Sequence, residues 1–356
     1  MSRHPSPHPD APPPGPDRPA SDRVVVGLDN GGTTNNATVL SLDGRFLVDR
    51  LVESPSRVTE GPEVAVPALV DSFDAVLEQV GCTRSDVGAV GLDTPGPASA
   101  DGVICAAGST NFAHPAWRGF DVRAALEKAL GVPVVYNNDA NAAAIYAHHG
   151  FFGPQSARHS SVSVIVGTGL GGGVVENGQV VKGVAGMAGE LGHILISLDG
   201  ILEPDQPLPG CNCGQAGDAE SVASLTAITA NLLPYWLTRY PGHPLASLEP
   251  KRAARELRSY GERGDPLARA VFEQQAAALG RLLGIAANFT DPGAYLIGGG
   301  VVEADRDFSG WFLANVRRHT SLRPEQAALA QFALVPDLDM AGARGSALAA
   351  LDSLAG

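Results

Sequence analysis

Lysine is scarce in this chain of 356 residues. Only Lys128, Lys182 and Lys251 stand among 25 basic residues, against 38 acidic ones. The formal net charge of -13 argues against a nucleic-acid partner, which needs a basic stripe to neutralise its phosphates. No apolar run is long enough to span a bilayer, and residues 1–22 lack the apolar segment of a signal peptide. Cysteine is sparse as well. Cys82 and Cys105 are isolated and Cys211 and Cys213 form one CxC pair, which is not the framework of a secreted, disulfide-stapled protein. These absences predict a cytoplasmic protein with no membrane partner. Few lysines beside abundant Ala, Gly and Arg is the bias of a GC-rich genome, such as that of an actinobacterium.

Apolar residues make up 44% of the chain and charged ones 18%, a globular balance with length for about two domains of roughly 150 residues. Residues 1–22 are Pro-rich and read as a disordered tail. From 23 onward the pattern is a strand at 24–28, a polar glycine-rich turn, and a hairpin turning at Asp43-Gly44. Apolar residues at helical spacing predict a helix over 62–80. A strand at 87–92, a loop at 93–118, a helix at 120–130 and a strand at 132–136 follow. The second half repeats the opening theme. After an Ala-rich helix at 139–149 come a strand at 161–166, a second glycine turn, and a strand pair around Asn177-Gly178. Helices near 218–233 and 266–289, a strand at 294–297 and a final helix near 345–353 complete the reading. Alternating β and α with two like openings predicts an α/β protein of two similar lobes with a ligand cleft between them.

Three clusters carry chemistry. The glycine turns, Asp29-Asn30-Gly31-Gly32-Thr33-Thr34 and Gly167-Thr168-Gly169-Leu170-Gly171-Gly172, suit backbone N–H groups approaching a phosphate, where a Cβ would intrude and φ > 0 is often needed. Each leads into another strand, so neither a dinucleotide fingerprint nor a Walker loop fits; either turn alone could be a plain hairpin. Asn137-Asn138-Asp139 follows an apolar strand, where open α/β sheets bind ligands; Asp139 alone reads equally well as a helix cap. Finally, Glu190 and His193 in GELGH precede Cys211-Asn212-Cys213, and two thiolates near a histidine suggest zinc, although they supply only three soft ligands.

The set DxGGT, PG, NDANAA, GTGxGGG, GExGH, CxCGxxG and GGG, in this order from about residue 23 to 352, resembles the ROK family of sugar kinases and repressors. The resemblance implies a two-lobed actin-like ATPase fold of the hexokinase and sugar-kinase type, with an N-terminal lobe over 23–137 and a C-terminal lobe over 138–340. Residues 341–356 would form a helix packing back towards the first lobe. It also implies ATP with Mg2+ as phosphoryl donor, a small sugar or sugar-like substrate, and a homodimer. By matching motif, Asp139 is the expected general base, and Asn111, Asn138, Glu190, His193 and Glu220 the substrate's hydrogen-bonding partners. Asp29, Gly31, Gly32, Thr33 and Thr34 form one phosphate loop; Thr168, Gly169, Gly171 and Gly172 form the other. Gly298, Gly299 and Gly300 are expected against the adenosine.

Three positions depart from the family pattern. Asp218 stands where the zinc motif CxCGxxGC has its third cysteine, so a zinc site here would be His193, Cys211, Cys213 and Asp218. The lysine-containing stretch after DxGGT reads Thr34-Asn35-Asn36. The segment before PG carries an extra carboxylate, Asp93, whose plain reading is a solvated loop residue. These changes bear on substrate more than on reaction. A hexose phosphorylated at its 6-hydroxyl and a C7-cyclitol phosphorylated at the matching CH2OH, in aminocyclitol antibiotic biosynthesis, are both expected substrates. A silent sugar-sensing regulator is the rival reading, disfavoured because repressors of the family carry an N-terminal helix-turn-helix for which 22 Pro-rich residues offer no room.

Overall fold

The computed structural model describes residues 23–96, 98–105, 111–335 and 338–355; the tail expected over 1–22 lies outside them. The first half builds a five-stranded sheet. β1 (Val24–Asn30) pairs antiparallel with β2 (Thr34–Ser41), which pairs antiparallel with β3 (Val52–Pro55). On the other side, β4 (Val87–Thr94) and β5 (Val134–Asn138) extend β1 in parallel, giving the order β3-β2-β1-β4-β5.

A second sheet has the order β10-β9-β6-β7-β8. Here β6 (Ser161–Val166), β7 (Leu170–Glu176) and β8 (Gln179–Val180) are antiparallel, while β9 (Ala294–Gly299) and β10 (Gln331–Leu334) run parallel to β6. Strand for strand, both sheets have the same order and the same senses. The repeat of strand, glycine turn and strand seen in the sequence is therefore a repeat of architecture.

Helices α1 (Pro62–Val80) and α2 (Val122–Leu130) cover the outer face of the first sheet. α1 coincides with its sequence expectation because both ends are marked: Pro62 opens it without losing a needed N–H, and Gly81 closes it in the left-handed region at φ 69°. Leu69, Phe73, Val76 and Leu77 bury its apolar stripe together with Trp117, each large side chain contributing about 1.5–3 kcal/mol. α3 (Asp139–Phe152) packs on β6 and β7.

The larger core beyond the second sheet gathers α4 (Leu225–Ala227), α5 (Leu233–Arg239), α6 (Pro250–Glu262), α7 (Pro266–Thr290) and α8 (Arg306–His319). α9 (Pro324–Leu329) precedes β10, and α10 (Ala341–Ala355) ends the described chain.

α10 lies on β1 and β4 and against α3. The approach is so close that only glycine serves at the contacts. A Cβ on Gly27 would lie 1.9 Å from the Ala343 carbonyl oxygen, one on Gly91 1.8 Å from that of Ser346, and one on Gly345 1.9 Å from that of Ala142.

Several expectations are corrected. Beyond the Asp43-Gly44 turn the hairpin's return leg is short: it keeps the Leu40–Phe46 bridge, a bond from Ser41 N to the Arg45 carbonyl and one from Leu47 N to the Val39 carbonyl. Phe46 leaves to pack beside Leu40, Ala347 and Leu348. Asp93 and Thr94 belong to β4, not to a loop. Residues 218–224 are not helical; the helix starts after Ser224, whose Oγ caps Ala227 N at 2.9 Å. It then widens into a π turn over Ile228–Leu232, where Pro234 has no N–H to return to the fourth carbonyl before it. Among the described residues no helix is long and apolar enough to cross a membrane.

Candidate active site

A cleft of about 780 Å³ opens between the two sheets, within the range of small-molecule sites. Asp29, Asp93, Asn138, Asp139, Gly169, Gly171, Glu190, His193 and Glu220 line it. A neighbouring cavity of about 330 Å³ is lined by Thr168, Gly300, Arg255, Arg258, Phe272 and Gln275, among others. Gly167 lines both cavities, and a Cβ there would meet nothing within 4 Å.

Asp139 is the first residue of α3, but it does not cap it. Asn138 does, its Oδ1 accepting from Asn141 N at 2.7 Å. That leaves Asp139 at the mouth of the helix, where its Oδ1 accepts only from its neighbour, Ala140 N, at 2.7 Å. Burial pushes its carboxyl up to about 6, helped by the negative charges of Asp29 and Glu190 and opposed by the Ala140 N–H. Solvent in the cleft still reaches the residue, which softens the effect. A carboxylate that titrates near neutrality fits a general base better than one that holds no proton affinity.

Glu220 joins two features that lie far apart in sequence. Its Oε2 accepts from Leu170 N in the second glycine bend at 2.8 Å, while its Oε1 lies 3.5 Å from Cys211 Sγ. Gly169 leaves this carboxylate its place: a Cβ would sit 2.6 Å from Glu220 Oε2, so the side chain would have to shift. Positive φ is not the reason for these glycines. Of the glycines expected at the phosphates and the adenosine, Gly299 alone has it, at φ 101°; close approach explains Gly31, Gly32, Gly172 and Gly298, whereas a Cβ on Gly171 or Gly300 would make only ordinary contacts at 3.4 and 3.8 Å.

Several expected residues line neither of these two cavities. Gly31, Gly32, Thr33 and Thr34 form the β1–β2 turn outside the lining, with Gly31 N donating to the Thr34 carbonyl. Asn111 lies over that turn, its Oδ1 2.5 Å from where a Gly32 Cβ would be. Gly172 faces the Ser163 carbonyl and Leu191, Gly298 faces Leu338, and Gly299 lies on the Val166 backbone. Of its trio, Gly300 lines the smaller cavity.

No local pattern announces Arg258, which donates to the Gly300 carbonyl and pairs with Glu303 at 2.9 Å on the wall of the smaller cavity. Lys182, which donates to the Tyr136 carbonyl from the second lobe, is equally unheralded. Asn36, in the departure from the family's lysine-containing stretch, donates to Asp29 Oδ2 at 2.8 Å. Asp93 is a clear correction: it is completely buried, not solvated.

The four residues expected to hold zinc do come together. The ligand atoms of His193, Cys211, Cys213 and Asp218 all lie within 4.8 Å of one another. His193 Nδ1 is 3.3 Å from Asp218 Oδ2 and 3.9 Å from Cys211 Sγ, and Cys213 Sγ is 3.4 Å from Asp218 Oδ2. A tetrahedron with ordinary Zn–N, Zn–O and Zn–S bonds has edges of about 3.3–3.8 Å. The donor types suit the ion, and these three separations lie near such edges, while the set as a whole spreads to as much as 4.8 Å.

Two like α/β lobes around such a cleft are the actin-like ATPase architecture of sugar kinases. The chain belongs to the ROK family, whose profile matches residues 25–353. It is 34% identical over 291 residues to a glucokinase of Halalkalibacterium halodurans, covering 80% of this chain and 82% of that protein. Among solved structures it is similar to the ROK hexokinase of Thermus thermophilus, at 33% identity and TM-score 0.72, covering 94% of this chain and 100% of the other. It also resembles a ROK family glucokinase of Streptomyces griseus, solved with glucose and AMPPNP, at 27% identity and TM-score 0.64, covering 92% and 99%.

Proposed function

We propose that this protein is an ATP-dependent kinase that phosphorylates the exocyclic primary hydroxyl of a glucose-like substrate, with Asp139 as general base. The observation that carries this reading is the Asp139 carboxylate, uncommitted to capping and set in a cleft with Asn138, Glu190, His193 and Glu220. These side chains supply the fixed donors and acceptors that a polyol needs, since each unpaired buried polar group costs about 1–3 kcal/mol.

In the reaction, the substrate hydroxyl gives its proton to Asp139. Its oxygen forms a bond to the γ-phosphorus while the bond to the bridging β–γ oxygen breaks, and that electron pair leaves with ADP. Nucleotide phosphates would lie along the second glycine bend and the adenosine in the cavity walled by Thr168, Arg258 and Gly300, reached past Gly167. Mg2+ bound with ATP supplies charge neutralisation, and the oxygen donor Asp29 on the cleft wall suits so hard a cation. Zinc held by His193, Cys211, Cys213 and Asp218 would be structural, fixing the His193 ring and, through Cys211, the neighbourhood of Glu220.

Both a hexose and a C7-cyclitol offer the required CH2OH beside a ring of hydroxyls. A screen with ATP and Mg2+ over glucose, mannose, N-acetylated hexosamines, fructose and C7-cyclitols, followed by identification of the phosphorylated position, tests the assignment. Transfer to the 6-hydroxyl of a hexose or the matching cyclitol position is expected. A protein that binds sugar but transfers phosphate to none of them is a sensor, not a kinase.

A further inference from the structure

β5 is the edge strand of the first sheet, so one row of its backbone groups has no strand to pair with. The Pro133 carbonyl takes the Val90 N–H of β4, and alternation along the strand turns Val134 and Tyr136 the other way. Each finds a partner off the sheet. Val134 N donates to Glu127 Oε2 at 3.2 Å, and the Tyr136 carbonyl accepts from Lys182 Nζ at 2.5 Å. Glu127 lies on α2, beside the strand. Lys182 reaches across from just beyond β8 of the second sheet.

That bond falls at a joint. Asn138 and Asp139 stand where the chain passes from β5 of the first sheet to α3, which packs on β6 and β7 of the second. The segment that carries Lys182 leads in turn to Glu190 on the cleft wall. The Lys182 carbonyl accepts from Ala188 N at 3.0 Å, closing a loop that Gly183 and Gly186 turn in the left-handed region, at φ 73° and 74°. Gly186 is pressed on the segment after β4, so that a Cβ would lie 2.6 Å from Ala100 N. Lys182 has further N–H groups to give. It shares a cavity of about 10 Å³ with Asn137 and Asn141, among others. Asn137 is 1% exposed, and among the described residues neither of its amide atoms nor Asn141 Oδ1 has a partner. A cavity of that size suits a single water bridging these groups to the amine.

We propose that Lys182 is a positioning residue: its amine locks the joint between β5 and α3 to the loop that leads to Glu190, holding Asp139 and Glu190 in one arrangement. Asp139 follows Tyr136 by only three residues, so drift at the Tyr136 carbonyl passes directly to the base. Chemistry at the base is sensitive to such drift, since a misplacement of about 1 Å costs up to about 10²-fold in rate. The role in phosphoryl transfer rests on the kinase reading above.

The scarcity of lysine opens a test in the native protein. Timed acetylation read by mass spectrometry should modify Lys182 more slowly than the exposed Lys128 and Lys251; this needs neither a variant nor catalysis. Lys182→Met keeps the apolar stem and removes the donors, whereas Lys182→Arg keeps donors on a stem of similar reach. On a substrate found in the screen, Lys182→Met should lower kcat about 10–100-fold with KM within about threefold of native, and Lys182→Arg should recover most of the loss. A purely structural tie would instead lower the urea midpoint of Lys182→Met and leave the kcat of the folded protein unchanged. That outcome, or acetylation of Lys182 as fast as of the other two, would overturn the inference. If Lys182 is protected but the native protein phosphorylates nothing, the kinase reading fails and the tie stands. If the native protein is active and Lys182→Met keeps its kcat, this inference fails alone.

Discussion

Asn138 and Asp139 are adjacent, yet only the first caps α3: Asn138 Oδ1 takes the Asn141 N–H at 2.7 Å, and Asp139 is left with the Ala140 N–H. The asparagine thus relieves the aspartate of a structural duty. It also places the Asp139 carboxylate at the positive end of a 14-residue helix, which tempers, without abolishing, the upward shift that burial imposes.

The protonation of Asp139 should be visible in rate against pH. A base must be ionised, so kcat/KM should fall tenfold per pH unit below an apparent pKa near 6 and level off above it. Stability has the opposite sense. The folded protein binds this proton more tightly than the unfolded chain, so ionised Asp139 costs stability above about pH 6 and nothing below the ordinary carboxyl range. Denaturant midpoints should show Asp139→Asn at least as stable as the native protein at neutral pH, with the difference closing in acid.

Glu220 ties the second glycine bend to the Cys211 region. Replacing it by alanine leaves the Leu170 N–H without its partner and removes one of the substrate acceptors proposed above. Losing such a bond costs about 1–3 kcal/mol, or about 5- to 150-fold in kcat/KM. Initial rates with the phosphorylated substrate measure it.

Elemental analysis of the purified protein should find close to one zinc per chain, released on adding a chelator, with a fall in thermal midpoint. Asp218→Cys, which gives a third thiolate, should hold the ion more tightly in competition with a chromogenic chelator. A fully active, metal-free protein would end the zinc assignment.

Glycines at α10 and at the cleft should behave differently. Gly91→Ala drives a Cβ into the Ser346 carbonyl. It should cost at least about 1–3 kcal/mol in urea unfolding. Gly169→Ala meets only the end of the Glu220 side chain, so it should reduce activity more than stability.

Much of this arrangement is legible in sequence because its signals are local. α1 has an apolar stripe with Pro62 and Gly81 at its ends, and the two glycine turns announce the repeated sheets. α6 gives little signal, since its buried face is Ala253, Ala254, Leu257 and Gly261 among charged neighbours. Local pattern places the last helix near 345–353, short of the Ala341 start of α10; Gly342 and Gly345 in its first turns are there for contact, with Asp29 and with Ala142. Asp93 reads as solvated for a long-range reason. The group that binds it, Ser346, lies 253 residues further on. Local pattern reveals a strand ending in an acid, not the helix that covers it.

The most direct test of the whole account compares the native enzyme with Asp139→Asn on one substrate found in the screen. The account predicts sugar binding within the native range by calorimetry, an unchanged circular dichroism spectrum, and turnover lower by at least ~10²-fold. Near-native turnover in that variant would remove Asp139 from the role of base and contradict the reading of the cleft built around it.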